Sequence, residues 1–250
     1  MNKIDRVGET SINKQGCAMK IIAYQFCDDI TVEFENGYIA KHKKYSNFLN
    51  GSIFNPLIPS VAGVGYIGVG KYKAYEKGRR SPAYVAWMGM FTRCYSKEYH
   101  LKYPTYKTCE VCAEWHNFQN FAQWYYDNYY EVYGQKMCLD KDLLVKGNKI
   151  YSPEFCVIIP EAINNTLTTS VSNRGCYSIG VHKRKRKYIA YGGEYKNRKS
   201  LGSFDSEHEA FLAYKNFKEQ RYKELAELFK DCIPSNAYIA LINRKVDEGD

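Results

Sequence analysis

The hydrophobic period of this chain changes several times along its length, and that argues against both an all-helical and an all-β fold. Apolar residues alternate at Ile30, Val32 and Phe34, the period of a half-buried strand. At Tyr84, Trp87, Met88, Phe91 and Tyr95 they recur at spacings of three and four, which lines one face of a helix. Short strand-like runs return at Ser178–His182, Lys187–Tyr195 and Lys199–Phe204. A helical stripe then carries Ala210, Phe211, Tyr214, Phe217, Leu225, Leu228 and Phe229 behind an N-cap at Ser206. The expectation is an α+β protein in three parts. Residues 1–76 form a small β-rich domain, 77–170 a ββα domain with flanking helices, and 171–250 a three-stranded sheet with a long helix.

Local signals fill in this outline. Lys20–Phe26 and Ile30–Tyr38 read as strands, and Asn36-Gly37 accepts positive φ at both turn positions, predicting a hairpin through Tyr45. The stretch Asn55–Gly70 contains Gly63-Val-Gly65-Tyr-Ile-Gly68, which matches the dinucleotide fingerprint by letter. That fingerprint needs a strand before it and a helix after it. No helical period follows, so the stretch reads as a flexible linker. Ser81-Pro82 opens a helix as N-cap and first residue. Tyr99–Tyr106 reads as loop, and Trp115–Tyr133 as a second helix with Trp115, Phe118, Phe121, Trp124 and Tyr125 on its core stripe. Beyond it come a turn at Gly147-Asn148, an apolar strand at Phe155–Ile159, a short helix from Pro160 and a polar linker at Thr166–Arg174.

Composition narrows the partners. The chain has 250 residues, and 36 Lys and Arg against 27 Asp and Glu give a net charge of +9, which favours a polyanionic ligand. No apolar run approaches the roughly 18 residues of a membrane span, and the first residues lack the apolar core of a secretory signal. Nine scattered cysteines do not form a secreted disulfide pattern and read as reduced thiols of a cytosol. Cys109-Glu-Val-Cys112 invites a zinc reading completed by Cys94, Cys138 or Cys156, but no second close pair is present. Buried thiols packing as small hydrophobes are the alternative.

Two resemblances add chemistry. Trp87, Arg93-Cys94-Tyr95, Val111-Cys112-Ala-Glu114-Trp115, Leu139-Asp140-Lys141-Asp142, Gly147-Asn148 and Ser152-Pro153-Glu154-Phe155-Cys156 together resemble phage-encoded HNH endonucleases of the homing type, over about residues 84–168. The resemblance implies a ββα nuclease fold in which a histidine deprotonates water beside one divalent metal. Carried over by position, Asp140 matches the metal carboxylate and Asn164 the metal ligand on the helix, a hard donor pair suited to Mg²⁺ or Mn²⁺. The base position falls on Lys141, protonated at neutral pH, and the supporting asparagine position on Phe155. Lys141 could contact a phosphate as a cation. His116 is the nearest substitute base, and Asp142 is either a further ligand or an exposed strand residue. The implied nuclease centre is degenerate.

From Arg174 to Lys199 nine Lys and Arg residues stand against one acid, Glu194. Within and after this run, Gly180-Val181-His-Lys-Arg184, Lys187-Tyr188-Ile-Ala190, Leu201-Gly202-Ser-Phe204-Asp205 and Glu209-Ala210 resemble the Apetala/ethylene-response-factor type of DNA-binding domain, over about 175–218. That family lays a three-stranded sheet in the major groove with one helix behind it. The resemblance implies contacts from Arg184, Arg186, Tyr188 and Lys199, with Lys183, Lys185 and Lys187 near phosphates. Strand alternation means that the five consecutive cations cannot all face one groove. Leu201, Phe204, Ala210 and Tyr214 are expected between sheet and helix. Three functions remain open: a binder of double-stranded DNA descended from an HNH enzyme, an active Mg²⁺- or Mn²⁺-dependent nicking endonuclease, and a phage counter-defence protein that occupies a host defence complex. All three imply the cytoplasm of a bacterial host.

Overall fold

In the computed structural model, which describes residues 5–167, 176–193 and 198–249, runs of strands, paired in several small sheets, and runs of helices follow one another and the fold is α+β. Two units divide at Tyr126 and Asp127. The expected boundary at 76/77 lies inside the first unit, and the one at 170/171 lies outside the described residues. Among the described residues no helix is long and apolar enough to cross a membrane.

The first unit begins with an antiparallel meander of β1 (Thr10–Ile12), β2 (Ala18–Phe26), β3 (Asp29–Phe34) and β4 (Ile39–Lys43), followed by helix α1 (Tyr45–Leu49). The alternation read at Ile30, Val32 and Phe34 is the buried face of β3, packed with Met19, Ile21 and Phe48. The hairpin at Asn36-Gly37 forms as expected, with one difference: only Gly37 takes positive φ (+81°). Its N–H donates to the Phe34 carbonyl at 2.8 Å, as in a longer hairpin loop closed by one left-handed glycine.

Strands β5 (Tyr75–Glu76) and β6 (Arg79–Arg80) make a small hairpin before α2 (Pro82–Tyr95). Ser81 caps α2 by accepting from the Tyr84 N–H. Its buried face is Ala83, Tyr84, Trp87, Met90, Phe91 and Cys94, so Met90 rather than Met88 completes the stripe. Tyr99–Tyr106 is not the plain loop expected, because Ser96 caps a short helix α3 (Lys97–Lys102), followed by a 3₁₀ turn at Pro104–Tyr106. After β7 (Glu110–Val111), the second aromatic helix is also broken. A 3₁₀ turn at Ala113–His116 gives way at Asn117 to α4 (Phe118–Asn128). The Trp87 indole N–H donates to the Trp115 carbonyl at 2.7 Å, joining the two aromatic segments through their buried core.

The glycine-rich stretch is docked, which corrects the linker expectation. Tyr66 pairs with the chain at Asn117: its N–H donates to His116 O and its carbonyl accepts from Phe118 N–H, both at 2.9 Å. A Cβ on Gly65 would lie 2.9 Å from both the Trp87 and Phe91 rings. Gly68 has φ +72°, and a Cβ there would come within 2.0 Å of Asn117 Oδ1. These two glycines serve close packing of backbone on the aromatic helices.

In the second unit, β8 (Met137–Asp140) pairs antiparallel with β10 (Val157–Pro160), and α5 (Glu161–Leu167) follows directly. This is the ββα outline read from the sequence, with the second strand starting two residues later than expected. The two-residue strand β9 (Ile150–Tyr151) falls between them in sequence and is not part of their pair. Strands β11 (Val181–Arg184), β12 (Lys187–Gly192) and β13 (Lys199–Phe204) form an antiparallel sheet in that order. The first starts at Val181 because Ser178–Gly180 make a turn, closed by Val181 N–H to Ser178 O and a left-handed Gly180. Arg174, Glu194, Tyr195 and Lys196, and with them most of the expected linker, lie outside the described residues.

Helix α6 (Glu207–Phe229) starts from a complete capping box between Ser206 and Glu209, and its 23 residues span about 34 Å. Its N-terminal half backs the sheet. Ala210, Phe211 and Tyr214 are buried, and Leu201 and Phe204 pack against them as expected. Further along, Leu225, Ala226 and Phe229 join Ile159 and Ile163 of the ββα segment and Leu241 of helix α7 (Ser235–Asn243) in the same core. The ββα segment and the sheet module thus share one hydrophobic interior.

The docked glycine stretch generates a prediction. Gly68→Ala forces a left-handed alanine against Asn117, and should lower the free energy of unfolding by about 2 kcal/mol, read as a lower urea midpoint. An unchanged midpoint would mean that the stretch does not hold this conformation in solution.

Candidate nucleic-acid interface

The register of the C-terminal sheet sorts its residues onto two faces. Directly paired residues share a face, so the pairs Val181↔Ala190 and Lys183↔Tyr188 belong together with Phe204, the partner of Tyr188. Val181 and Ala190 are buried and Tyr188 and Phe204 pack on the core, which makes this the helix side. The other face carries His182, Arg184, Lys187, Ile189, Tyr191 and Ser203. At the end of β12 a Cβ on Gly192 would meet the Phe217 ring at 2.5 Å, so helix and sheet backbone approach closely there.

This division separates the expected contact residues. Arg184 and Lys187 stand opposite each other on the outer face, and Lys185 and Arg186 form the two-residue hairpin tip between them. Lys183 and Tyr188 turn to the helix side, a correction forced by the pleat. The Lys183 ammonium donates to the Tyr188 hydroxyl at 3.2 Å and lies 4.9 Å from its ring centroid, and Tyr188 meets Tyr177 edge-on. The hydroxyl raises the Lys183 pKa. Lys199 pairs with Gly192 at the far end of the sheet, roughly 16 Å from Lys187 at the usual strand rise.

An open concavity of about 490 Å³ on the outer face is lined by Arg184, Lys185, Arg186, Lys187, Ile189 and Ser203. Lys187 pairs with Asp205, whereas Arg184, Lys185 and Arg186 form no ion pair among the described residues. Lys185 holds φ +56°, a left-handed conformation that costs a non-glycine residue about 1 kcal/mol. Strain of this kind concentrates at functional segments. Sequence reasoning missed Ile189, Tyr191, Ser203 and His182, whose ring meets Tyr191 at 5.4 Å. Alternation outward from Lys187 was the signal that could have found Ile189 and Tyr191.

The expected nuclease residues occupy a second locality, and there their polar groups are used by the protein itself. Asp140 ends β8, half-buried, and its Oδ1 accepts from the N–H groups of Asp142 (2.9 Å) and Leu143 (2.6 Å). Burial, together with the neighbouring Asp142 carboxylate, raises the Asp140 pKa despite those two bonds. Lys141 is only 5% exposed. Its ammonium donates to both Asp142 carboxylate oxygens and to the Asn148 carbonyl, each at 2.7 Å. The Asn148 side chain answers by donating to Lys141 O and Ile150 O. Arg244 reaches the same turn, donating to Asp142 O at 2.7 Å. Lys141 is therefore a buried tie, which corrects its reading as a phosphate contact.

Asn164 sits half-buried on α5, the helix that packs on β8. Phe155 lies in the turn before β10, where its N–H donates to Ser152 O at 3.3 Å. His116 belongs to the first unit and Asp140 to the second. Its Nε2 donates to the Val111 carbonyl at 3.1 Å, which commits that nitrogen to backbone. Of the cysteines considered for zinc, Cys94, Cys109 and Cys112 are in the first unit and Cys138 and Cys156 in the second. Burial raises the Cys112 thiol pKa, favouring the protonated form. Among the described residues no three His, Cys, Asp or Glu side chains gather as a metal-binding group. Asp140 lies at the end of β8 and Asn164 on α5, so the two expected ligands stand on neighbouring elements. No protein-family model, curated protein or solved structure matches the chain.

Two outcomes follow from these contacts. Lys141→Met removes three hydrogen bonds from a buried turn and should cost about 2 kcal/mol of stability, measured by urea unfolding; a neutral result would remove the tie. At the base of the sheet, Ser178 donates its N–H (2.7 Å) and hydroxyl (2.6 Å) to Glu207, and these bonds lower the Glu207 pKa. Unfolding raises it again, so this contribution is present above the ordinary value of 4.5 and lost as pH falls below it. Glu207→Gln should therefore flatten the decline of the thermal midpoint in that acid range, and an identical decline would exclude Glu207 as a source.

Proposed function

We propose that the chain is a binder of double-stranded DNA, gripping the duplex with the outer face and hairpin tip of β11–β13, and that its ββα segment is a nuclease-like scaffold without hydrolytic activity. The observation that carries the reading is the group Arg184, Lys185 and Arg186, exposed around a concavity and without ion pairs among the described residues. A rigid sheet backed by α6 presents them at fixed spacing. Arginine can engage guanine through two bonds, and lysine adds salt-sensitive attraction to phosphate. Ile189 offers an apolar contact of the kind that suits a thymine methyl group. Against hydrolysis stand the lysine at the base position and its use in a buried tie.

Arg184→Ala/Arg186→Ala should weaken duplex binding and reduce the slope of log K against log salt by about 1.8 if both residues contact phosphate. Lys183→Ala should change it much less, because that side chain faces the helix side. Equal effects from Lys183 and Arg184 would refute the assignment of faces. Lys185→Gly should raise stability by about 1 kcal/mol through relief of the left-handed lysine while weakening binding. Supercoiled DNA with Mg²⁺ or Mn²⁺ should remain intact; nicking abolished by Asp140→Ala would replace this reading with that of an endonuclease.

A further inference from the structure

We infer that the first unit carries a second phosphate-binding element, the hairpin of residues 71–80, which holds the DNA backbone independently of the C-terminal sheet. The inference rests on the duplex-binding reading above. Lys71, Lys73, Lys77, Arg79 and Arg80 fall within ten residues with Glu76 as the single acid. All five cations are exposed, and none forms an ion pair among the described residues. Glu76 lies opposite Arg79 in the register and offsets one charge, which leaves the hairpin strongly cationic. An open concavity of about 530 Å³ is lined by Glu76, Lys77, Arg79, Arg80, Ser81 and Pro82.

The element is held in place from below. Gln119, nearly buried on α4, donates to the carbonyls of Ile67 (3.1 Å) and Tyr72 (2.9 Å) and accepts from the Tyr72 N–H at 3.0 Å. The Tyr72 ring stacks on Tyr126 with centroids 5.4 Å apart. Ser81 N–H closes the hairpin base onto Ala74 O at 2.9 Å, and Tyr75 lies against Tyr84. Cations on an anchored support lose less conformational freedom when they meet a ligand than cations on a loose tail.

The tip repeats the device of the C-terminal sheet. Lys77 and Gly78 form a two-residue turn with φ +48° and +77°, the geometry in which asparagine and glycine are usual. Lys77 and Lys185 are the two lysines with positive φ among the described residues, and each stands at a hairpin tip with arginines no more than three residues away. In both places a charge is kept where the backbone favours another residue. Sequence-independent contact with phosphate accounts for this composition, since it needs positive charge and not a particular base edge.

The test uses the full chain and a duplex of arbitrary sequence, with affinity measured across salt concentrations. The proteins are the wild type, Lys77→Gly/Arg79→Ala, Arg184→Ala/Arg186→Ala and the fourfold variant. The hairpin variant should lower the salt slope by about 1.8, in the wild-type and in the Arg184→Ala/Arg186→Ala background alike. Lys77→Arg/Arg79→Lys, which keeps both charges, should retain the wild-type slope. A hairpin variant that keeps the wild-type slope while Arg184→Ala/Arg186→Ala lowers it would overturn the second element and leave the sheet reading intact. A wild-type chain that fails to hold duplex at low salt would overturn both. A slope lost equally in the charge-keeping variant would assign the effect to hairpin shape and refute phosphate contact.

Discussion

The packing of α6 behind the three-stranded sheet governs the C-terminal unit. Once Ala210 and Tyr214 cover one side, the pleat leaves no choice about where the remaining residues point. Every second residue of β11 and β12 must face away from the helix, and there the chain places Arg184, Lys187 and Ile189. At Gly192 the Phe217 ring lies directly against the strand backbone, with no room for a side chain between them. Without that backing the basic run would be a loose, solvated string of charge. With it, the same residues become a surface of fixed geometry.

Most elements were legible because their signals are local. The Ser206 N-cap, Ser81-Pro82 before α2 and the alternation in β3 each act within a few residues, and each appears where expected. The errors arose where tertiary contact decides. Nothing in the string Gly63–Gly70 tells that Trp87 and Phe91 will press against one glycine and Asn117 against another. A stretch of this composition reads as loose from its letters alone. The break at Asn117 has the same origin, since Tyr66 takes the backbone bonds that a continuous helix would have used. The common core of the ββα segment and the sheet module was equally invisible, because its residues are far apart in sequence.

At the candidate site, residue type was easier to read than orientation. The cluster of cations was evident, but the face of each depends on register, and register follows from which pair closes the hairpin. Arg184 opposite Lys187 puts Tyr188 on the helix side, where an aromatic residue beside Lys183 supports the sheet. Around Asp140 the sequence put a lysine where the resemblance expects a base, but it could not tell that burial would turn both side chains onto neighbouring groups of one turn.

The buried ammonium of Lys141 also limits how this chain can change. It bridges Asp142 and Asn148 from one position, a span that depends on a long, flexible stem ending in three donors. An imidazole is shorter and planar, and its two nitrogens point in opposed directions. A single exchange toward histidine would therefore break this bridge and lower stability. The Asp142 carboxylate and the Asn148 carbonyl would lose their shared donor together, so these three positions are tied to one another and a change at 141 calls for changes at the other two.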